Sequence, residues 1–416
     1  MSLSIFIYKE DVSKLEKLLN SLEENDLSSV KEVLYSGSKE DIKDIDTSIP
    51  IIPLDIKSEN KAFAKNVALS KAQGDYILLL SSNSVLEDTT VEELLEIINE
   101  VSDADLIYPN EVLVQDEEEI VRNFDDLYGR EKLILHTLSI EENLPEYGIL
   151  IKKDTFNKLG GFDEEFEDFD LYKFLYDNLD NIKLKHSDLS FVEYHLTEDF
   201  IDTSYRSKAL RDTVQKYDWK TEIFPYLSWD KEENSALATA YTFIGDRLSR
   251  YHDFLNASEF YRKALFTFHN KLSLQSLINS YINMGFFSEA KKLLSVSQGL
   301  EQKEIKQLSQ HIDNIQKFVQ SLENSVKEGK TGEILIASQD IINFYQGAPV
   351  YNLFGVVYYL MRDLENAFKF FYKAVIINPL EQDILQNLVD VAKQLGKEEK
   401  VKNLIFRITP TKEKVS

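Results

Sequence analysis

A chain of 416 residues with 72 acidic and 47 basic side chains carries a formal net charge of −25 and contains no cysteine. That charge excludes a nucleic-acid groove or an anionic membrane surface, since both need clustered Lys and Arg. The absence of cysteine excludes disulfides, thiolate zinc sites and a cysteine nucleophile. Glycine (14) and proline (8) are scarce for this length, which favours a helix-rich architecture.

In chain order, the β-branched and aromatic run Leu3–Tyr8 predicts a strand, followed at once by Lys9-Glu10-Asp11. This start is too short for a signal peptide or a membrane span, so the expected location is cytoplasmic. Val12–Leu22 places Leu15, Leu18, Leu19 and Leu22 at helical spacing. Val30–Tyr35 reads as a strand ending in the turn Ser36-Gly37-Ser38, and Ile51–Leu54 as a short one. Phe63–Ala72 reads as a helix ended by Gly74, and Tyr76–Leu80 as a strand buried on both faces. Val91–Val101 is a predicted helix and Ala104–Tyr108 a short strand. This alternation predicts an α/β, Rossmann-like domain with a mostly parallel sheet. Ligands are then expected beyond the carboxyl ends of the strands, at Tyr8–Asp11, Tyr35–Asp41 and Ser81–Asp88.

From about residue 234 strand signals stop and amphipathic stretches follow one another. Around Ala367 stand Tyr351, Gly355, Tyr358, Phe371, Ala374 and Pro379; the same offsets from Ala257 hold Tyr241, Gly245, Leu248, Tyr261, Ala264 and His269. Ala290 and Val401 anchor two further units, with Gly285 and Gly396 in their turns, and 303–346 is expected to be an irregular helical pair with a lengthened first helix. A helix-turn-helix unit of about 34 residues resembles the tetratricopeptide repeat. Stacks of such units commonly take a peptide or another protein on the concave face, or dimerise. The expected domains are 1–200, an aromatic-rich junction 201–233 containing Trp219 and Trp229, helical repeats 234–408, and a tail 409–416.

Three stretches of the first domain resemble the inverting glycosyltransferase family 2, which has a GT-A fold. Glu59-Asn60-Lys61-Ala62-Phe63-Ala64-Lys65-Asn66, with Ala72-Gln73-Gly74-Asp75-Tyr76-Ile77-Leu78-Leu79-Leu80, is similar to the family's helix leading into its buried strand. Leu159-Gly160-Gly161-Phe162-Asp163-Glu164, with Glu167-Asp168-Phe169-Asp170-Leu171, is similar to its "GGFDE…ED-x-DL". Val192-Glu193-Tyr194-His195 is similar to a strand ending in a histidine near the diphosphate. The resemblance implies Asp168 as general base with Glu167 and Asp170 beside it, and Tyr8, Tyr35, Asn60, Lys65, Ser81, Asn83 and His195 as donor-binding residues.

The departures fall on the donor side. Ser81-Ser82-Asn83 stands where the family has its metal-binding Asp-x-Asp, and Tyr35-Ser36-Gly37-Ser38 where it has a base-recognising aspartate. No metal ligand is therefore assigned: magnesium or manganese binds weakly at most, because hard divalent cations want carboxylate oxygens. Lys9, Lys65 and Lys173 are candidate replacements for the cation's charge. His136, His186, His252, His269 and His311 show no ligand spacing.

Two functions remain open. One is a glycosyltransferase moving sugar from a nucleotide-sugar, a UDP-sugar by resemblance, to a protein or peptide acceptor held by the repeats. The other is a catalytically inactive glycosyltransferase-fold scaffold that binds a partner protein or enzyme through them.

Overall fold

The computed structural model describes residues 2–100, 103–115, 118–124, 144–167, 169–195, 202–296 and 299–409. The chain forms two compact units, Met1–Ile201 and Asp202–Ser416. Among the sequence-based assignments, Asp168, His136 and the tail from residue 410 lie outside the described residues. No described helix is long and apolar enough to cross a membrane.

The first unit runs β1 (Leu3–Tyr8), α1 (Val12–Glu23), β2 (Val30–Tyr35), α2 (Lys39–Ile42), β3 (Ile51–Pro53), α3 (Lys61–Lys71), β4 (Tyr76–Ser81), β5 (Ser84–Leu86), α4 (Thr90–Glu100), β6 (Leu106–Gln115), β7 (Glu118–Arg122), β8 (Ile149–Lys152), α5 (Lys153–Lys158), α6 (Asp170–Asp177) and β9 (Leu184–His195). β1 and β4 are buried along their whole length, as their continuous apolar runs require for strands covered on both faces. Asp11 caps α1 by accepting from the Ser13 amide, and Leu15, Leu18, Leu19 and Leu22 face the core.

The sheet order is β3-β2-β1-β4-β8-β6-β9-β5, with β7 on β6. The first four strands pair in parallel, as the strand–helix alternation predicts. β8 then returns antiparallel to both β4 and β6, while β6 and β9 pair in parallel. The sheet is therefore mixed, and the mostly parallel expectation holds only for the part built by helical crossovers. β6 also continues past Tyr108, because the pairing with β9 shifts between Tyr108 and Asn110; Pro109, which has no amide to donate, sits at that irregularity.

The second unit is all helical: α7 (Ser204–Lys216), α8 (Glu233–Arg250), α9 (Phe254–Thr267), α10 (Lys271–Met284), α11 (Phe287–Val296), α12 (Gln302–Lys327), α13 (Thr331–Ile336), α14 (Ser338–Phe344), α15 (Ala348–Leu360), α16 (Leu364–Ile377), α17 (Gln382–Leu395) and α18 (Glu398–Ile408). The turns of four helical hairpins each hold one residue in the left-handed region: His252, Gly285, Arg362 and Gly396. After the two non-glycine positions come Asp253 and Asp363, each capping the next helix by accepting from the amide of Asn256 or Asn366. A Cβ on Gly245 would lie 2.6 Å from the Tyr261 ring, and one on Gly355 would lie 2.5 Å from the Phe371 ring. The same glycine–aromatic contact thus joins α8 to α9 and α15 to α16. α12 has 26 residues, the lengthened helix expected within 303–346.

Trp219 and Trp229 belong to the second unit. Their indoles donate to the carbonyls of Val214 and Phe224 at 2.7 and 2.9 Å, and the Trp219 ring meets Tyr241 of α8 edge-on at 5.2 Å. Buried polar contacts fasten the last helix to the first. Arg407 donates to Asp202 at 2.9 Å, to Tyr372 at 2.8 Å and to Ser204 at 2.9 Å, and stacks on Tyr205. Arg211 in turn donates to the carbonyls of Arg407 and Thr409. Removing one partner of a buried ion pair strands the other charge and costs about 3–5 kcal/mol. Arg407→Met is expected to lower stability by about that amount in urea denaturation of the full chain, and Tyr372→Phe by about 1 kcal/mol. An unchanged midpoint in Arg407→Met would remove this cluster as a clamp.

Candidate functional site

The carboxyl ends of β1, β2 and β4 come together through serine hydroxyls. Ser82 accepts from the amides of Glu10 and Asp11 at 3.0 and 2.9 Å, and its own amide donates to the Tyr8 carbonyl at 2.8 Å. Ser36 accepts from the Lys9 amide at 2.8 Å. These contacts fix the turn after β1 against the turns after β4 and β2.

That turn delivers Glu10 into the unit. Its carboxylate accepts from Ser81 at 2.6 Å, Tyr194 at 2.8 Å and Tyr147 at 3.0 Å, and lies 3.2 Å from the Lys61 ammonium. Burial pushes this carboxyl up, yet Lys61 and the three hydroxyls outweigh it and hold Glu10 below its ordinary range. The Tyr147 and Tyr194 rings pack at 5.3 Å. Gly148 permits this: its φ is +78, and a Cβ there would lie 2.5 Å from Val192. Lys61 lies 5.9 Å over the Tyr147 ring and 3.3 Å from the half-exposed Glu146 carboxylate.

The sequence-derived donor residues other than His195 divide into three groups. Ser81 and Tyr8 are satisfied, Ser81 by Glu10 and Tyr8 by donating to the Glu59 carbonyl at 2.8 Å. Asn60 and Lys65 brace the "GGFDE" segment and the helix behind it. Asn60 caps α3 through the Phe63 amide and donates to the Glu164 carbonyl, each at 2.8 Å. Asn66 adds a two-way clamp on Phe162, donating to its carbonyl at 2.9 Å and accepting from its amide at 2.8 Å. Gly161 beside it needs φ +74 and has no room for a Cβ against Asn66. Lys65 is buried against Asp170 at 2.8 Å.

The third group lacks protein partners among the described residues. Asn83 is 1% exposed with neither side-chain atom hydrogen-bonded, and the buried Tyr35 hydroxyl is likewise unpartnered. Burial, followed by nearby Asp41, raises the Tyr35 phenol above its ordinary range. His195 is accounted for by Glu193 and by Lys17, whose Nζ lies 3.1 Å away. Burial and Lys17 lower its pKa against the pull of Glu193.

On the acceptor side, Asp170 opens α6 and accepts from Lys65 and, at 2.6 Å, from the Leu171 amide. Burial raises its pKa against the opposing effect of Lys65, with Glu146 raising it further. Glu167 follows the 3-10 turn Glu164–Phe166. The other candidate lysines are engaged: Lys9 pairs with Asp41 at 2.9 Å, and Lys173 with Asp177 one helical turn on. Glu10, Lys61, Glu146, Tyr147 and Tyr194 carry the cluster instead. Glu10 lies in Tyr8–Asp11, where ligands are expected, and Lys61 and Tyr194 lie within the motifs that carry the resemblance; nothing in the sequence marks Glu146 or Tyr147.

A divalent cation does not fit this strand end. Ser81 and Ser82 spend their hydroxyls on protein groups, the Glu10 carboxylate faces an ammonium and three hydroxyls, and Asn83 offers a single neutral oxygen. Among the described residues no group of three His, Asp or Glu stands together as a metal site.

A family model described as Glycosyltransferase like family 2 matches residues 30–222. No curated protein matches the sequence. Among solved structures the chain is similar to S. aureus TarS 1-349 in complex with UDP, at 14% identity over 65% of this chain and 89% of that one, with TM-score 0.39. It is also similar to the same fragment in complex with UDP-GlcNAc, at 12% identity over 79% and 92%, with TM-score 0.43. Full S. aureus TarS gives 14% identity over 65% and 54%, with TM-score 0.39.

Glu111 on β6 is a separate titrating group beside this cluster. Burial pushes its carboxyl up to about 7, against the pull of Arg122 at 3.0 Å and with a further push from Glu146. Since the ordinary carboxyl titrates at 4.5, the folded chain holds this proton where the unfolded chain has lost it. The contribution of Glu111 to stability therefore falls as pH rises through roughly 4.5 to 7. Glu111→Gln is expected to flatten that slope by on the order of 3 kcal/mol in urea melts compared at pH 5 and pH 8. Parallel profiles for the two proteins would refute the assignment.

Proposed function

We propose that the first unit transfers a sugar from a nucleotide-sugar, taken as a UDP-sugar, at the carboxyl ends of β1, β2 and β4. The observation that carries this reading is the family match over 30–222. Asn83 and Tyr35 support it, since each leaves polar atoms buried and unpartnered at a neighbouring strand end. Burying such groups is unfavourable unless a ligand or water completes them, and a nucleoside and its ribose present matching donors and acceptors.

In the transfer, the acceptor oxygen bonds to the anomeric carbon from the face opposite the diphosphate. The carbon–phosphate-oxygen bond breaks, and the nucleoside diphosphate leaves with the electron pair. The acceptor's proton passes to a carboxylate base, which we assign to Asp168. Glu167 stands beside it in sequence, and Asp170, committed to Lys65, acts as a positioning residue. The helical unit, read as tetratricopeptide-type repeats, takes a protein or peptide acceptor.

The second reading is an inactive scaffold that binds a partner protein through the repeats. It is favoured by the saturated Glu10 carboxylate, because charge stabilisation at the leaving group is usually the largest catalytic contribution.

Release of uridine diphosphate from a panel of UDP-sugars, with polypeptide acceptors present, separates the two. Asp168→Asn is expected to lower kcat by about a hundredfold or more while leaving nucleotide affinity unchanged. Undiminished turnover in that variant rejects Asp168 as base. Nucleotide binding without turnover on any donor favours the scaffold.

A further inference from the structure

Three lysines stand at the strand ends around β4, and each is set against a carboxylate. Lys9 is held by Asp41, which also accepts from the Ser38 amide at 2.7 Å. Lys65 is sealed in with Asp170, their side chains 1% and 3% exposed. Lys61 differs because, among the described residues, it is shared between two carboxylates of unlike freedom. Glu10, 3.2 Å away, is tied by three hydroxyls and its side chain is 12% exposed. Glu146, 3.3 Å away, has a side chain 36% exposed.

We propose that Lys61 Nζ, in place of a divalent cation, is the positive charge that receives the diphosphate of the ligand, and that this anion enters by displacing the Glu146 carboxylate. The inference rests on the nucleotide-sugar reading of the same strand ends. Glu10 does not leave, since leaving would break three hydrogen bonds and strand a buried charge. Glu146 leaves readily, because a half-exposed carboxylate regains water when it turns away and a surface pair contributes little. The exchange swaps one anionic oxygen for another on the same ammonium. Lys61 is also the first residue of the 11-residue α3, so the positive end of that helix adds to its field. Glu10 is then the positioning residue, keeping Nζ over the Tyr147 ring and at the strand end.

The test is calorimetric titration of the full chain with uridine diphosphate and with inorganic pyrophosphate, each in EDTA and in manganese. The expected result is affinity equal within about twofold between the two conditions. Lys61→Met weakens binding about tenfold or more, and Lys61→Arg largely retains it. Glu146→Gln tightens binding about threefold or more, because the competing charge is gone. If Lys61→Met fails to fold, Glu146→Gln and Lys61→Arg decide the matter, since neither leaves Glu10 without a cation. Manganese-dependent binding, or unchanged affinity in Glu146→Gln, overturns the inference while the glycosyl-transfer reading stands. Pyrophosphate binding with the expected pattern, and no response to uridine diphosphate or its sugars, supports the lysine site and removes the nucleotide-sugar reading. Failure of both anions to bind overturns both.

Discussion

A carboxylate buried at the end of a strand is tolerated only if its surroundings replace the water it gives up. For Glu10 the replacements are Ser81 of β4, Tyr194 of β9, Tyr147 before β8, and Lys61 at the start of α3. Four segments far apart in sequence converge on this one side chain. The ends of β1 and β4 are thereby held in register with β8 and β9, and Lys61 and the two tyrosines each acquire a fixed place. The remainder of the site is built outward from that carboxylate: Ser82 locks the turn that carries it, and Gly148 makes room for Tyr147.

The acidity of the chain is unevenly divided. The first unit holds 19 basic against 46 acidic residues, a net −27, whereas the helical unit holds 28 against 26, a net +2. An anionic ligand of the first unit thus meets a repulsive long-range field. At physiological ionic strength that field decays over about 8 Å, so the charges within contact range decide the outcome. There the pairing of Lys61 with Glu10 and of Lys65 with Asp170 nearly neutralises the interior. Among the described residues, Glu146 is left as the excess negative charge beside Lys61.

Local pattern made much of this fold legible. Continuous apolar runs marked β1 and β4, and leucines at helical spacing marked α1. Recurring small residues marked the hairpins α8/α9 and α15/α16, where Gly245 and Gly355 do meet aromatic rings. The direction of β8 was not legible, since alternation of strands and helices says nothing about a returning strand. Nor were the roles of the lysines: Lys9, Lys65 and Lys173 were candidates for a ligand charge, and the structure sets each against its own carboxylate. Lys173 and Asp177, four residues apart on one helix, could have been paired from spacing alone. Lys65 and Asp170, 105 residues apart, could not.

The missing acids at 35, 81 and 83 acquire a spatial explanation. A carboxylate does stand beside Ser81, but it comes from Glu10 across the neighbouring turn. Another stands beside the end of β2, where Asp41 accepts from Ser38 and pairs with Lys9. Both face a lysine, so neither is free to coordinate a cation. The polar groups left open at these strand ends are neutral: the Asn83 carboxamide and the Tyr35 hydroxyl. On the proposed reading, such a site would recognise a ligand's neutral donors and acceptors directly and meet its negative charge with an ammonium already in place. If Lys61 receives the diphosphate as proposed, the absence of an Asp-x-Asp sequence does not by itself argue against ligand binding, because that ammonium supplies the charge the motif would supply through a metal.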